Sequence, residues 1–317
     1  MKTLVTGAAG FIGSHLCQRL LADGWNVVGL DNFDDFYDPK IKRRNIAECL
    51  KDRNFQLVEA DIRDIAAMDK AVADDIEIII HLAARAGVRP SIEKPLLYAD
   101  VNINGTMVLL EAARKHSVKK FIFGSSSSVY GNNKKIPFSE GDSVDFPISP
   151  YAATKKACEL ICHTYYHLYR MSITCLRFFT VYGPRQRPDL AIHKFAKLIE
   201  QGKPIPVFGD GSMMRDFTYI DDIIDGIVAA MEKCSGSNIY NLGEATPISV
   251  NDLIVEIEKA LGKKAVRKYL PPQPGDVERT YADITRAIQD LGYNPTTTIE
   301  YGLKKFTDWL KQNDLQS

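Results

Sequence analysis

The sequence carries no surplus of charge. Its 317 residues hold 40 Lys plus Arg against 40 Asp plus Glu, a formal net charge of zero. Nucleic acid and anionic membranes are therefore not expected as partners, although a local cationic site for a small anion stays open. Long apolar runs are missing as well, and none is long enough to span a bilayer. Cysteine is sparse and unpatterned. Of Cys17, Cys49, Cys158, Cys162, Cys175 and Cys234, only Cys158 and Cys162 share a helical spacing, and no second pair or histidine completes a zinc-ligand set. No metal is expected, and the six read as reduced structural thiols of a cytosolic protein. Met1 to Gly7 runs straight into a strand and a glycine turn, so no signal peptide is expected and the predicted location is cytoplasmic. Repeats and low-complexity tracts are absent. What remains, 45% hydrophobic and 25% charged, is ordinary globular composition with enough length for one large or two smaller domains.

The chain opens on an apolar run, Lys2–Thr6, that reads as a buried strand. Gly7-Ala8-Ala9-Gly10-Phe11-Ile12-Gly13 follows, then a helical period over residues 14–23, then a second strand over 25–30 closed by Asp31-Asn32. In that setting the glycines point to a dinucleotide. Gly7 permits a tight turn, Gly10 lets backbone approach a pyrophosphate, and Gly13 lets helix pack on strand. The pyrophosphate then sits at a helix N-terminus, where amide donors point at it. Asp31 is placed to accept hydrogen bonds from a ribose. A carboxylate there repels a 2′-phosphate, so the cofactor is expected to be NAD rather than NADP. Lys40, Lys42, Arg43 and Arg44 read as a solvated helix face.

Strands and helices go on alternating. Strands are expected at Phe55–Glu59, 76–81, 120–125 and 173–178, and helices over 65–73, 98–117 and onward from Pro150. This predicts an α/β fold: a Rossmann doubly wound parallel sheet with a smaller C-terminal α/β lobe. Asp61-Ile62-Arg63 reads as an adenine-side loop. Leu82-Ala83-Ala84 reads as a strand end small enough for a cofactor to lie against. His81 is given no role. Past Gly183 prolines and glycines recur, which suggests the second lobe. The expected division is a dinucleotide-binding domain over residues 1–180, to which roughly 215–245 return, and a substrate lobe mainly over 181–317. Amphipathic helices are expected over 251–261 and 301–312.

Two further stretches carry chemistry. Ser125-Ser126-Ser127-Ser128-Val129-Tyr130 ends a strand. Ser149-Pro150-Tyr151 opens a helix on which Tyr151 and Lys155, four residues apart, share a face. An ammonium near a phenol favours the phenolate, and a serine hydroxyl completes a proton-handling trio.

Together with the glycine turn, these stretches resemble the extended short-chain dehydrogenase/reductase family, and within it the nucleotide-sugar epimerases. Residues 7–13, 61–63, 81–84, 125–131, 149–155, 177–184 and 215–222 fall in that family's order along nearly the whole chain. The resemblance implies Tyr151 as acid–base, Lys155 holding the nicotinamide ribose, and Ser126 relaying or positioning the proton, with Ser127 a lesser candidate. It implies Phe11, Ile12, Asn32, Ile62, Asn102, Phe178 and Val181 around NAD, beside Gly7, Gly10, Gly13, Asp31, Asp61, Leu82, Ala83, Ala84, Tyr151 and Lys155.

Family members that eliminate water or carbon dioxide commonly carry an acid at the positions of residues 126–129. Here they read Ser-Ser-Ser-Val, which favours C4 epimerisation of a UDP-sugar through a 4-keto intermediate. Arg177-Phe-Phe-Thr180-Val-Tyr-Gly-Pro-Arg185-Gln-Arg187-Pro-Asp189, the stretch from Asp31 to Pro39, and that from Met214 to Asp222 look like the UDP-glucuronate 4-epimerases. Ser127, Ser128 and Thr180 are then expected to hold the C6 carboxylate. Arg185, Arg187 and Arg215 are candidates for the diphosphate, each weighed against an ordinary surface ion pair. Asp276 would hold the uridine ribose, and Pro206-Val207-Phe208 would form the uracil slot. Competing readings are a UDP-glucose or UDP-N-acetylglucosamine 4-epimerase, a decarboxylase or dehydratase, and a non-catalytic NAD sensor. The last has no need of Tyr151, Lys155 and Ser126. The helices over 98–117 and 152–169 would pair across a homodimer, as in family members, or face the protein's own core.

Overall fold

A computed structural model describes residues 1–72, 75–272 and 279–313. Its strands are β1 (Lys2–Thr6), β2 (Asn26–Asp31), β3 (Phe55–Glu59), β4 (Ile78–His81), β5 (Lys120–Ser126), β6 (Ser172–Phe178), β7 (Thr180–Tyr182), β8 (Ile205–Phe208), β9 (Met214–Tyr219), β10 (Ser237–Leu242), β11 (Pro247–Ser249) and β12 (Arg267–Leu270). The central strands are apolar on both faces because helices cover both sides of the sheet they form. In β5 the consequence is visible residue by residue. Phe121 and Phe123 enter one apolar cluster with Leu109, Cys158 and Cys162, while Ile122 enters the other with Leu16, Leu20, Ile223 and Ile227.

That sheet has seven strands in the order β10-β6-β5-β4-β1-β2-β3, with every pairing parallel. The direction of winding reverses between β1 and β4, the place where doubly wound sheets open a crevice at their carboxyl ends. Smaller sheets follow: β11-β9-β7, and β12 beside β8. Past β9 the chain returns to the main sheet. Helix Ile220–Glu232 packs beside helix Phe11–Ala22 and on β5 and β6, and β10 then pairs with β6, while β9 itself stays in the small sheet.

The helix expected over residues 98–117 differs in kind. It is a short turn Pro95–Tyr98, a π-helical stretch Ala99–Asn104 and an α-helix Gly105–Lys115. The carbonyl of Asn102 accepts from Thr106 Oγ1 at 2.5 Å and from the Cys158 thiol at 3.2 Å. Side chains thus add to the Gly105 amide that the same carbonyl accepts at the end of the widened turn. All six cysteines are buried and unpaired. Among the described residues no helix is long and apolar enough to cross a membrane.

Candidate active site

A cleft of about 490 Å³ runs along the carboxyl ends of the parallel strands. At its cofactor end the glycine turn is tight. Gly7 has φ +71°, and a Cβ on it would lie 2.8 Å from the Ala83 nitrogen. A Cβ on Gly13 would overlap the Gly7 carbonyl oxygen. Helix Phe11–Ala22 starts at Gly10 with no side-chain cap, so its first amides keep their donors for a ligand anion. Gly7, Gly10, Phe11, Ile12 and Gly13 all line the cleft.

Asp31 is buried at the end of β2. Its carboxylate accepts from the Ala9 amide at 3.0 Å and the Phe33 amide at 2.8 Å, which fixes its orientation and leaves lone pairs for ribose hydroxyls. Burial raises its pKa, and the Lys42 ammonium opposes the rise. Asn32 Nδ2 donates to Asp61, and Arg63 holds the same carboxylate, bringing its pKa down to about 2. Ile62, Leu82, Ala83 and Ala84 complete this wall. An uncapped helix start, a turn with no room for side chains and a cleft-lining carboxylate fit the expected NAD.

The other end holds the candidate proton-handling groups. Ser149 caps helix Pro150–Tyr169 by accepting from the Ala152 amide at 3.2 Å, and Pro150 fills the first helical position. That start places Tyr151 in the first turn, half-buried in the cleft wall and edge-on to Tyr98 at 6.2 Å. Lys155, one turn on, is buried. Its ammonium donates to the Gly124 carbonyl at 2.6 Å and stands 6.0 Å from the centre of the Tyr151 ring. Ser126 Oγ accepts from the Ser128 amide at 3.2 Å, which turns the chain at the end of β5 and sets Ser126, Ser127 and Ser128 along the cleft. Thr180, Phe178 and Val181 line it from the next crossover. His81 is a buried core histidine between Thr6 and Thr106, with burial holding its pKa down at about 3.

Several expected residues lie elsewhere. Asn102 is buried behind the wall, where it grips the Arg85 backbone amide and carbonyl and Thr154 Oγ1, so it shapes the loop after β4 without lining the cleft. Arg185 has φ +64° and donates to Gln18 and Ser14 on helix Phe11–Ala22. Val207 is fully buried in the core, leaving Pro206 and Phe208 as the partly exposed members of that strand. Arg215 sits on β9 and bonds the Met214 carbonyl. Asp276 lies outside the described residues.

The structure keeps one of the arginine candidates at the cleft and adds two further cations, Arg85 and Lys42. Arg187 lines the cleft, pairs with Asp189 at 2.7 Å, and holds its guanidinium 5.3 Å from the Phe36 ring. Burial works against its charge, and the hydrogen bonds to Asp189 together with the charges of Asp189, Tyr151 and Tyr37 raise its pKa on balance. Arg85 stands on Phe36 at 5.4 Å and pairs with Asp34 at 2.7 Å. Lys42, read from sequence as solvated, is buried against the Asp34 carbonyl. Its signal lay in Asp38-Pro39, an N-cap and first-turn proline that start a helix whose buried face is Lys42 and Asn45.

A family model described as GDP-mannose 4,6 dehydratase matches residues 4–306. The chain is 47% identical over 313 residues to a UDP-glucuronate 4-epimerase of Thermodesulfobacterium geofontis, covering 98% of this chain and 96% of that one. Among solved structures it is similar to the UDP-glucuronic acid 4-epimerase of Bacillus cereus in complex with UDP-glucuronic acid and NAD, with TM-score 0.94, 43% identity, and 98% and 99% of the two chains covered. A UDP-glucose 4-epimerase of Thermotoga maritima with UDP-glucose aligns with TM-score 0.91 and 34% identity, covering 98% of this chain and 99% of the other.

Proposed function

The chain belongs to the GDP-mannose 4,6 dehydratase family of extended short-chain dehydrogenases/reductases, and from that premise we propose that it is an NAD-dependent UDP-glucuronate 4-epimerase. The observation that carries the substrate choice is that the cleft lined by Tyr151 is also lined by Ser127, Ser128, Thr180 and Arg187. These offer three neutral donors and one cation to a carboxylate. The acids that line the cleft, Asp31, Asp34 and Asp61, follow β2 and β3 at the far side of the sheet from the serines. Neither the serine turn, residues 126–130, nor the first turn of the helix that carries Tyr151 contributes a carboxylic acid of the kind elimination requires.

Gly7–Gly13 and Asp31 would hold NAD, which would supply the acceptor and donor for the hydride of C4. Tyr151 takes the proton of the 4-hydroxyl and gives it back from its phenol oxygen. Ser126 positions that hydroxyl. Lys155, its ammonium held by the Gly124 carbonyl, supplies positive charge beneath the phenol and a donor for the nicotinamide ribose. Thr180 and the serines hold the uronate so that its keto form keeps its carbon dioxide. The test is to incubate the NAD-loaded enzyme with UDP-glucuronate and with UDP-glucose, and follow C4 inversion by NMR. Inversion of UDP-glucuronate at the higher kcat/KM is expected. Inversion of only the neutral sugar would replace this reading with a UDP-glucose epimerase, and turnover of neither with NAD bound would favour a sensor.

The assembly belongs to the same proposal. Met107 on helix Gly105–Lys115 and Leu160 and Leu168 on helix Pro150–Tyr169 are 43%, 56% and 64% exposed, an apolar surface on adjacent helices that suits a homodimer. Leu160→Glu should convert a dimer to a monomer in sedimentation velocity, and a monomeric parent would refute the pairing. The six buried thiols suit a cytoplasmic location.

A further inference from the structure

On helix Pro150–Tyr169, Tyr151 and Lys155 have a third companion at the same spacing, Glu159. Four-residue steps put all three on one face. Tyr151 and Lys155 line the cleft, whereas Glu159 is buried behind β5. Its Oε1 accepts from Ser125 Oγ at 2.6 Å, and Arg177 on β6 donates to both its oxygens, Nε and Nη2 each at 2.9 Å. Lys156 approaches Oε2 at 3.9 Å. The side chains of Glu159 and Arg177 are each only 1% exposed. Arg177 Nη1 donates to the Tyr130 hydroxyl at 2.9 Å, which donates to Asn241 Oδ1 at 2.7 Å. Asn241 in turn donates to the Phe138 and Asp283 carbonyls.

The two ends of this network matter. Ser125 and Tyr130 are the residues on either side of the turn from Ser126 to Val129. Through them one ion pair grips the serine turn at both edges, and Glu159 grips the helix that carries Tyr151 and Lys155. We propose that the Glu159–Arg177 pair is a positioning device that fixes the serine turn against the Tyr151–Lys155 face. The idea rests on the reading of Tyr151 and Ser126 given above. Glu159 does not line the cleft, and its hydrogen bonds set the helix's rotation and the turn's register. Acid–base groups must be held to within about half an ångström, and a displacement of about 1 Å costs on the order of 10²-fold in rate. Stability is a weak reason to keep such a pair, since well-packed apolar residues replace buried ion pairs at little cost.

The double variant Glu159→Leu/Arg177→Met removes both charges together, so neither is left buried alone. The milder Ser125→Ala and Tyr130→Phe cut one arm each and serve if the double variant does not fold. The expected result is a native Tm within a few degrees, an NAD Kd and a UDP-glucuronate KM within about twofold of the parent, and a kcat lowered about 30- to 100-fold. The single-arm variants should lose about 3- to 10-fold in kcat. Amide hydrogen exchange of residues 126–130 in the NAD-loaded protein should accelerate at least tenfold in the double variant. That readout needs no turnover, so it judges the device even if the parent inverts no UDP-sugar, in which case the functional reading alone fails. A kcat within twofold of the parent, or unchanged exchange in folded variants, would overturn the proposal.

Discussion

Thr180 offers the cleft a neutral hydroxyl at the start of β7, while Arg187 seven residues on offers a charge already paired to Asp189. The difference matters for a uronate. Once C4 is a ketone, the substrate is a β-keto acid that loses carbon dioxide readily, and the group holding the carboxylate decides its orientation. Thr180→Ala removes one donor, worth about 0.5–1.5 kcal/mol, so carbon dioxide release or the UDP-glucuronate KM should rise about 3- to 10-fold. Turnover of UDP-glucose should not change. Gas release and initial rates check this, and constancy of both would take the carboxylate away from Thr180. At this scale the sequence was partly legible. Tyr151, Lys155, Ser126 and Thr180, singled out by spacing and family likeness, all line the cleft. Arg185 and Arg187 could not be told apart, because the left-handed backbone at Arg185 sends it to Gln18 and leaves the cleft to Arg187.

The glycine turn is the element in which local sequence and function agree most closely. Gly13 packs so near Gly7 that a Cβ there meets a backbone carbonyl, which cannot move aside as a flexible side chain would. Gly13→Ala should therefore destabilise the protein by about 1–3 kcal/mol and weaken NAD binding at least tenfold, as read by thermal melts and by NAD titration. A parental Kd in the variant would mean that the turn does not hold the cofactor. The strands of the main sheet were readable from apolar runs and flanking turns, Lys2–Thr6 and Phe55–Glu59 at their observed ends. The π-helical stretch Ala99–Asn104 was not readable. It depends on Thr106, Cys158 and Thr154 meeting Asn102 in three dimensions, and apolar periodicity is blind to such polar partners.

At the scale of the molecule, the segment joining the small β9 sheet to β10 carries a titratable strain. Asp216 accepts from the amides of Glu244, Ala245 and Ala282, stitching three segments together. Glu244 lies beside it with Asp222 near, and its buried Oε2 has no hydrogen-bond partner among the described residues. Burial first, then the Asp222 and Asp216 charges, raise the Glu244 pKa from 4.5 to about 7. Between those values the folded state keeps a proton that the unfolded chain has released. Stability therefore falls as pH rises through this window, and the penalty is complete above it. Glu244→Gln should remove the penalty. Its Tm should exceed the parent's at pH 8, reflecting a stability gain on the order of 1 kcal/mol after discount for a partly exposed side chain, and the difference should shrink towards pH 4. An equal difference at both pH values would refute the linkage.

The central claim is that the hydrogen removed from C4 returns to C4. UDP-glucuronate carrying deuterium at C4 tests it most directly, with the product isolated after near-complete equilibration in ordinary water and analysed by NMR and mass spectrometry. The account predicts UDP-galacturonate that keeps its full deuterium content at C4, with no solvent hydrogen there and no gain of mass elsewhere in the ring. Loss of the deuterium to water would mean that inversion proceeds by proton exchange at carbon, and would contradict a hydride held within the cleft between Tyr151 and the glycine turn.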